Sequence, residues 1–266
     1  MRDSIQTIAR IREELAAVIQ PEPPALTHPA LIPPLDPDSV NRLTPAELAR
    51  FLDSTLLKPE ATLEQIDALC DEARRLHVAA VCVHPTRLAQ CIDRLAGTPV
   101  RTATVVGFPL GAMTSAAKAF ETVLAVEAGA DEIDMVLNLG WLRDGDDAAV
   151  RDEIRAVVEA ARGRIVKVIV ESGGLSDEEL IRACLLARDA GAHFVKTSTS
   201  FLFGGAEAAA VALMRAAVGP LMGVKAAGGV RDAAAARAML RAGATRIGTS
   251  SARAIVDSTP APAGPS

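Results

Sequence analysis

Short apolar, β-branched runs recur along the chain at 51–57, 79–84, 100–107, 131–138, 164–171, 193–199, 221–226 and 245–249. Between them lie stretches whose apolar residues step by three and four, among them Leu63–His77, Ser115–Gly129, Ala148–Arg162, Asp177–Gly191 and Asp232–Gly243. The short runs predict buried strands and the stepped stretches predict helices. Three of the stepped stretches end in Gly-Ala just before the next strand (Gly129-Ala130, Gly191-Ala192 and Gly243-Ala244), where glycine accepts the left-handed turn that closes a helix. Eight strands alternating with helices predict an α/β fold, a (β/α)8 TIM barrel spanning residues 45–257. A doubly wound open sheet is the rival. It normally carries a G-x-G-x-x-G turn after its first strand, and Asp53-Ser54-Thr55-Leu56-Leu57-Lys58-Pro59 has no glycine.

Outside that repeat the pattern changes. Residues 1–44 read as an N-terminal helical extension. Ile5, Ile8, Ile11, Leu15 and Ile19 form one stripe of an amphipathic helix over 3–19. Pro21-Glu22-Pro23-Pro24 and the prolines at 29, 33, 34 and 37 then read as an extended arm. The helix has two places to bury its stripe, its own barrel or a second copy of the chain in a homodimer. The Pro/Ala/Ser/Gly-rich residues 258–266 read as a disordered tail.

Composition narrows the function. The chain has 266 residues, half of them apolar, with a net charge of −5 and no basic stripe. Six Phe, one Trp and no Tyr leave little to stack on bases, so no nucleic-acid partner is expected. Cys70, Cys82, Cys91 and Cys184 lack metal-site spacing, and no histidine cluster accompanies them. They read as reduced thiols of a cytoplasmic protein, with neither metal nor other cofactor expected. The charged N-terminus is unlike a signal peptide, and no apolar run is long enough for a membrane span.

The candidate chemistry sits at the polar ends of the strands, where a barrel of this type builds its active site. Lys196 stands in the sixth run, and Lys225, 29 residues further on, in the seventh. Lysine in an apolar run is uncommon because burying an ammonium is costly. Two on neighbouring strands disfavour each other's charge, so one sheds its proton and becomes a nucleophile for carbonyls. Asp134 shares a strand face with Glu132 and Val136 and is an acid for the lysines to pair with. The strand ends also offer Asp53, Cys82 and His84, with Lys167 inside the fifth run, where a neighbouring acid or a substrate contact would account for it. Gly228-Gly229 after strand 7 and Ser250-Ser251 after strand 8 suit an anion, with backbone N–H groups at hand. A phosphate there and an imine at strand 6 describe a phosphorylated sugar lying across the barrel mouth.

These residues resemble a known family. Asp53-Ser54-Thr55-Leu56-Leu57-Lys58-Pro59, Val81-Cys82-Val83-His84-Pro85, Val106-Gly107-Phe108-Pro109-Leu110-Gly111, Gly129-Ala130-Asp131-Glu132-Ile133-Asp134-Met135-Val136, Phe194-Val195-Lys196-Thr197-Ser198-Thr199, Val224-Lys225-Ala226-Ala227-Gly228-Gly229-Val230-Arg231 and Gly248-Thr249-Ser250-Ser251 are similar to segments of deoxyribose-phosphate aldolases, in the same order. The resemblance implies a metal-independent class I aldolase that reversibly cleaves 2-deoxy-D-ribose 5-phosphate to D-glyceraldehyde 3-phosphate and acetaldehyde in deoxyribonucleotide catabolism. It implies Lys196 as the Schiff-base lysine, Lys225 as its charged neighbour and Asp134 as the proton-relay acid. Asp53, Cys82, Lys167 and Thr197 then belong to the substrate pocket, and Gly228, Gly229, Ser250 and Ser251 to the phosphate cradle. The chain departs from the family at Ser200, where relatives usually have glycine, at Glu171-Ser172 in place of Glu-Thr, in lacking a C-terminal tyrosine, and in its long N-terminal extension. Another Schiff-base sugar-phosphate lyase, or a phosphate-binding barrel without turnover, are the rival readings.

Overall fold

Eight parallel strands pair in chain order and the eighth returns to the first, closing a barrel. The computed structural model describes residues 2–21, 26, 28–29 and 31–259. The strands are β1 (Leu52–Leu56), β2 (Ala80–Val83), β3 (Arg101–Val106), β4 (Glu132–Val136), β5 (Ile165–Ile169), β6 (Phe194–Lys196), β7 (Gly223–Ala227) and β8 (Arg246–Thr249). Before the first strand lie α1 (Arg2–Glu14), α2 (Pro37–Arg42) and α3 (Pro45–Ala49). After it come α4 (Leu63–Leu76), α5 (Leu88–Leu95), α6 (Ser115–Glu127), α7 (Leu139–Asp144), α8 (Asp147–Ala160), α9 (Asp177–Asp189), α10 (Ala208–Val218), α11 (Ala233–Arg241) and α12 (Ala252–Asp257). The fold expected from the alternation is the one observed, and the open sheet is excluded.

Strand alternation divides the side chains into two cores. Ile133 and Met135 on β4, and Leu137 just after it, join the large apolar layer beneath the helices, with Val166, Val168, Val195, Val224 and Ile247 from other strands. The opposite faces of the strands carry Glu132, Asp134, Lys167, Lys196, Lys225 and Arg246 into the barrel interior, together with a small apolar cluster of Cys82, Ala103 and Val105. Branched aliphatics usually fill such a barrel. Here its centre is ionic. Gly248 makes room for this, since a β-carbon there would lie 3.0 Å from Cε of Lys225 and 2.9 Å from Cβ of Ala227.

The three Gly-Ala stops close their helices in one way. Gly129, Gly191 and Gly243 have φ of 100°, 83° and 103°, and the following alanine amides bond back to Ala125, Ala187 and Met239. This is the left-handed closure that glycine permits. Capping boxes start α4 (Thr62 with Gln65) and α9 (Ser176 with Glu179).

From Ile8 onward the N-terminal stripe packs on the chain's own barrel, while Ile5 is largely exposed. Helix α1 runs over α9 and α10 with Ile11 and Leu15 buried, and its last turn tightens to a 3-10 helix over Leu15–Ala17. Arg10 pairs with Glu178, and Arg182 bonds Glu14 and Asp147. Pro23 and Pro24 of the expected arm, and residues 260–266 of the expected tail, lie outside the described residues. No described helix is long and apolar enough to cross a membrane.

Candidate active site

The two lysines that interrupt strands 6 and 7 stand in register across the β6–β7 pair. Both side chains therefore enter the barrel at one level, and Asp134 reaches them from β4. Lys196 Nζ donates to Asp134 Oδ2 at 2.9 Å, and Lys225 Nζ donates to the same oxygen at 2.8 Å. Lys225 also forms an ion pair with Asp53 Oδ2 at 2.5 Å. Lys167 Nζ lies 2.5 Å from Asp134 Oδ1 and 2.6 Å from Glu132 Oε2. Beneath them Arg246 Nη1 lies 2.7 Å from Asp53 Oδ1 and 3.4 Å from Glu132 Oε2. Four cations and three carboxylates thus form one continuous buried network, in which each charge requires its partners.

Burial alone opposes the charges of Asp53, Glu132, Asp134, Lys167, Lys225 and Arg246, and their neighbours overcome it. Against burial, Lys167, Lys196 and Lys225 hold Asp134 well below the usual carboxylate range. Arg246, Lys225 and Lys167 depress Asp53, and Arg246 and Lys167 depress Glu132. In the other direction Asp134 and Asp53 raise Lys225, while Asp134 and Glu132 raise Lys167. Burial, with Asp134 nearby, pushes the Cys82 thiol up, its Sγ 4.0 Å from Asp134 Oδ2. Lys225 is thereby fixed as an ammonium beside Lys196.

A cavity of ≈ 240 Å³ opens above this network at the C-terminal ends of the strands. Lys196 is the one network member on its wall; Lys225, Asp134, Lys167, Asp53 and Cys82 lie below, fully buried. Gly228, Gly229 and Ser250 line the cavity beside Lys58 and Arg231, a cationic rim around exposed backbone. Thr197 and Ser251 are placed differently from the sequence expectation. Thr197 Oγ1 bridges to the carbonyl and amide of Ala227 at 2.9 Å each, latching β6 to β7, and the side chain is off the cavity wall. Ser251 lies one residue beyond the wall, its amide donating to Thr249 Oγ1. His84 donates to Leu57 O through Nε2, the role of a structural histidine.

Ser200 has φ of 69°, in the left-handed region that favours glycine, and its amide donates to Ser198 Oγ. Its Oγ lies 2.9 Å from where a β-carbon on Gly228 would sit, so both residues shape the same edge of the cavity.

Several residues that hold the site were not singled out from the sequence. Glu171 also has a left-handed backbone, φ 53°, and its Oε1 accepts from the Thr199 amide just after Lys196. Lys118 on α6 is completely buried, donating to Val136 O at 2.8 Å and pairing with Glu153 at 2.8 Å. It secures the end of the strand that carries Asp134. Burial pushes Lys118 down and Glu153 up, and each partly offsets the shift of the other. Arg246 and Glu132 complete the ionic centre; their period-2 placement with Gly248 and Asp134 was the available signal. Among the described residues, no three His, Cys, Asp or Glu side chains gather as a metal site would require.

Comparison with known proteins agrees with this geometry. Residues 47–258 match the model of the DeoC/LacD family aldolases. The chain is 56% identical over 211 residues to the deoxyribose-phosphate aldolase of Geobacillus sp. (strain WCH70), covering 79% of this chain and 95% of that protein. It is also 56% identical over 210 residues to the enzyme of that name from Streptococcus pneumoniae serotype 19F (strain G54), covering 96% of it. Among solved structures it is similar to a tetrameric deoxyribose phosphate aldolase from Aeropyrum pernix, with TM-score 0.78, 35% identity, and 84% of this chain and 96% of that one covered.

Proposed function

The chain belongs to the DeoC/LacD aldolase family, and from this we propose that it is a class I deoxyribose-phosphate aldolase whose Schiff base forms on Lys196. One observation carries the reading: Lys196 and Lys225 donate to the same oxygen of Asp134, and Lys196 alone of the network lines the cavity. The network holds four cations against three carboxylates. The amine at the cavity wall meets a single carboxylate, Asp134, and is the one that a carbonyl compound entering the cavity reaches. Lys225, between Asp134 and Asp53, remains charged.

The chemistry then follows. The free amine of Lys196 adds to the aldehyde carbon of open-chain 2-deoxy-D-ribose 5-phosphate, and loss of water gives a protonated imine. That cation accepts the electron pair of the C2–C3 bond as it breaks. Asp134, through a water, takes the proton of the C3 hydroxyl, and D-glyceraldehyde 3-phosphate departs. Protonation of the enamine and hydrolysis release acetaldehyde and the amine. Gly228, Gly229 and Ser250, with Lys58 and Arg231 at the rim, hold the phosphate; Asp53, Cys82 and Lys167 support the reacting end from below. No step calls for a metal or other cofactor.

The four cysteines are free and buried thiols, which supports a cytoplasmic setting. A homodimer remains the assembly we propose, formed by a surface other than the buried stripe of α1. Incubation with 2-deoxy-D-ribose 5-phosphate should yield acetaldehyde and D-glyceraldehyde 3-phosphate in equal amounts, at a rate unchanged by EDTA. Turnover of other sugar phosphates but not this one would assign the chain to another Schiff-base lyase reaction.

A further inference from the structure

The opposite, N-terminal end of the barrel holds a second cavity of ≈ 780 Å³. Its wall is built from residues just ahead of β1 and β2 and from the first residues of β3 and β8: Arg50, Phe51, His77, Arg101 and Arg246, with Ile32 on one side. Three arginines therefore line one space. Arg246 is 3% exposed, yet every hydrogen bond it makes among the described residues leaves from Nη1. Its Nε and Nη2 donors have no protein acceptor there. Arg101 engages Glu132 through Nη1 alone, and Arg50 makes no side-chain hydrogen bond among the described residues. Glu47, the acid on this wall, has one carboxylate oxygen turned away to the Thr44 amide and hydroxyl.

Neither of these Arg246 donors is sealed away from solvent without a partner: with Arg246 on the cavity wall, both are open to an acceptor that enters it. Planar, forked donors in this number match an oxyanion better than any neutral ligand. We infer that the floor of the barrel is a binding site for a phosphate dianion, free or as a phosphate monoester, held by Arg246, Arg101 and Arg50. It is separate from the phosphate end of the catalytic cavity, which opens at the other end of the strands. It is also connected to catalysis. An anion on Nε and Nη2 places negative charge on the side chain that Asp53 and Glu132 hold through Nη1, and Asp53 is the second partner of Lys225. Occupancy of the floor therefore weakens the arrangement around Lys196 without occluding substrate.

Isothermal titration of the full chain with inorganic phosphate tests this directly. Two sites are expected in the parent, and one should vanish in an Arg50→Gln/Arg101→Gln variant of unchanged melting temperature. Repeating it with glycerol 1-phosphate identifies the occupant, an ester if its floor heat also vanishes in the variant, free phosphate if there is none. Should the double variant fold poorly, Arg50→Lys/Arg101→Lys keeps the charge, loses the fork, and should weaken the floor site by about tenfold. In the cleavage assay, phosphate should lower the parent's kcat by about fivefold and affect only KM in the glutamine variant. A single phosphate site that survives the substitutions would overturn the inference. The titration needs no turnover, so its outcome is independent of the aldolase reading.

Discussion

Lys225 differs from Lys196 in the number of carboxylates it meets and in its distance from solvent. Asp134 and Asp53 both hold it as a cation, and it is absent from the cavity wall. Replacing it with methionine removes the cation that shares Asp134 Oδ2 with Lys196. Lys225→Met should therefore reduce kcat at pH 7 by at least about 100-fold. A near-parental kcat at neutral pH would contradict it. His193 gives a second residue-scale test. Burial, with His28 nearby, pulls it down to about 4, and its Nδ1 accepts from the Val166 amide, which requires the neutral ring. A histidine depressed in the folded state costs stability as pH falls from the unfolded value of ~6.5 towards 4. The melting temperature should decline over that window, and His193→Asn, which keeps an acceptor without the titration, should flatten the decline.

At the scale of elements, the strands and helices were legible because their signals are local. Apolar runs bounded by Gly-Ala stops fixed both period and boundary, and the structure closes all three stops as expected. Asp134, Lys196 and Lys225 stood out because each breaks an apolar strand. Other contacts depended on distant partners. Lys118 lies on a helix, where a lysine ordinarily reads as a solvent-facing residue, and only the packing of α6 against α8 brings it to Glu153. Thr197 has the right neighbours in sequence, but its hydroxyl is engaged by Ala227. The tether from Glu171 to the loop after β6 is invisible in the sequence because it depends on a left-handed turn. That tether is testable. Glu171→Ala should free the Thr199 amide and raise KM about tenfold while changing kcat less, and Glu171→Gln, which retains the acceptor oxygen, should restore KM. Equal effects of the two substitutions would show that the hydrogen bond does not position the loop.

Across the whole molecule, the unusual feature is an ionic centre in place of an aliphatic one. Buried ion networks rarely stabilise a fold more than well-packed hydrocarbon would, so stability alone is a poor reason for seven charges inside this barrel. Function accounts for them better: the network carries one cation more than its carboxylates balance, and its exposed end is Lys196. The fold class was readable from the alternation, whereas this charge count was not, because Arg246 and Glu132 open their strands and look like rim residues in a linear reading. The direct measurement of the central claim is reductive trapping. Borohydride added with acetaldehyde should leave a stable ethyl adduct of +28 Da on one residue, and peptide mass spectrometry should locate it on Lys196. Labelling on Lys225, Lys167 or Lys58 instead, or no adduct under conditions of turnover, would contradict the account.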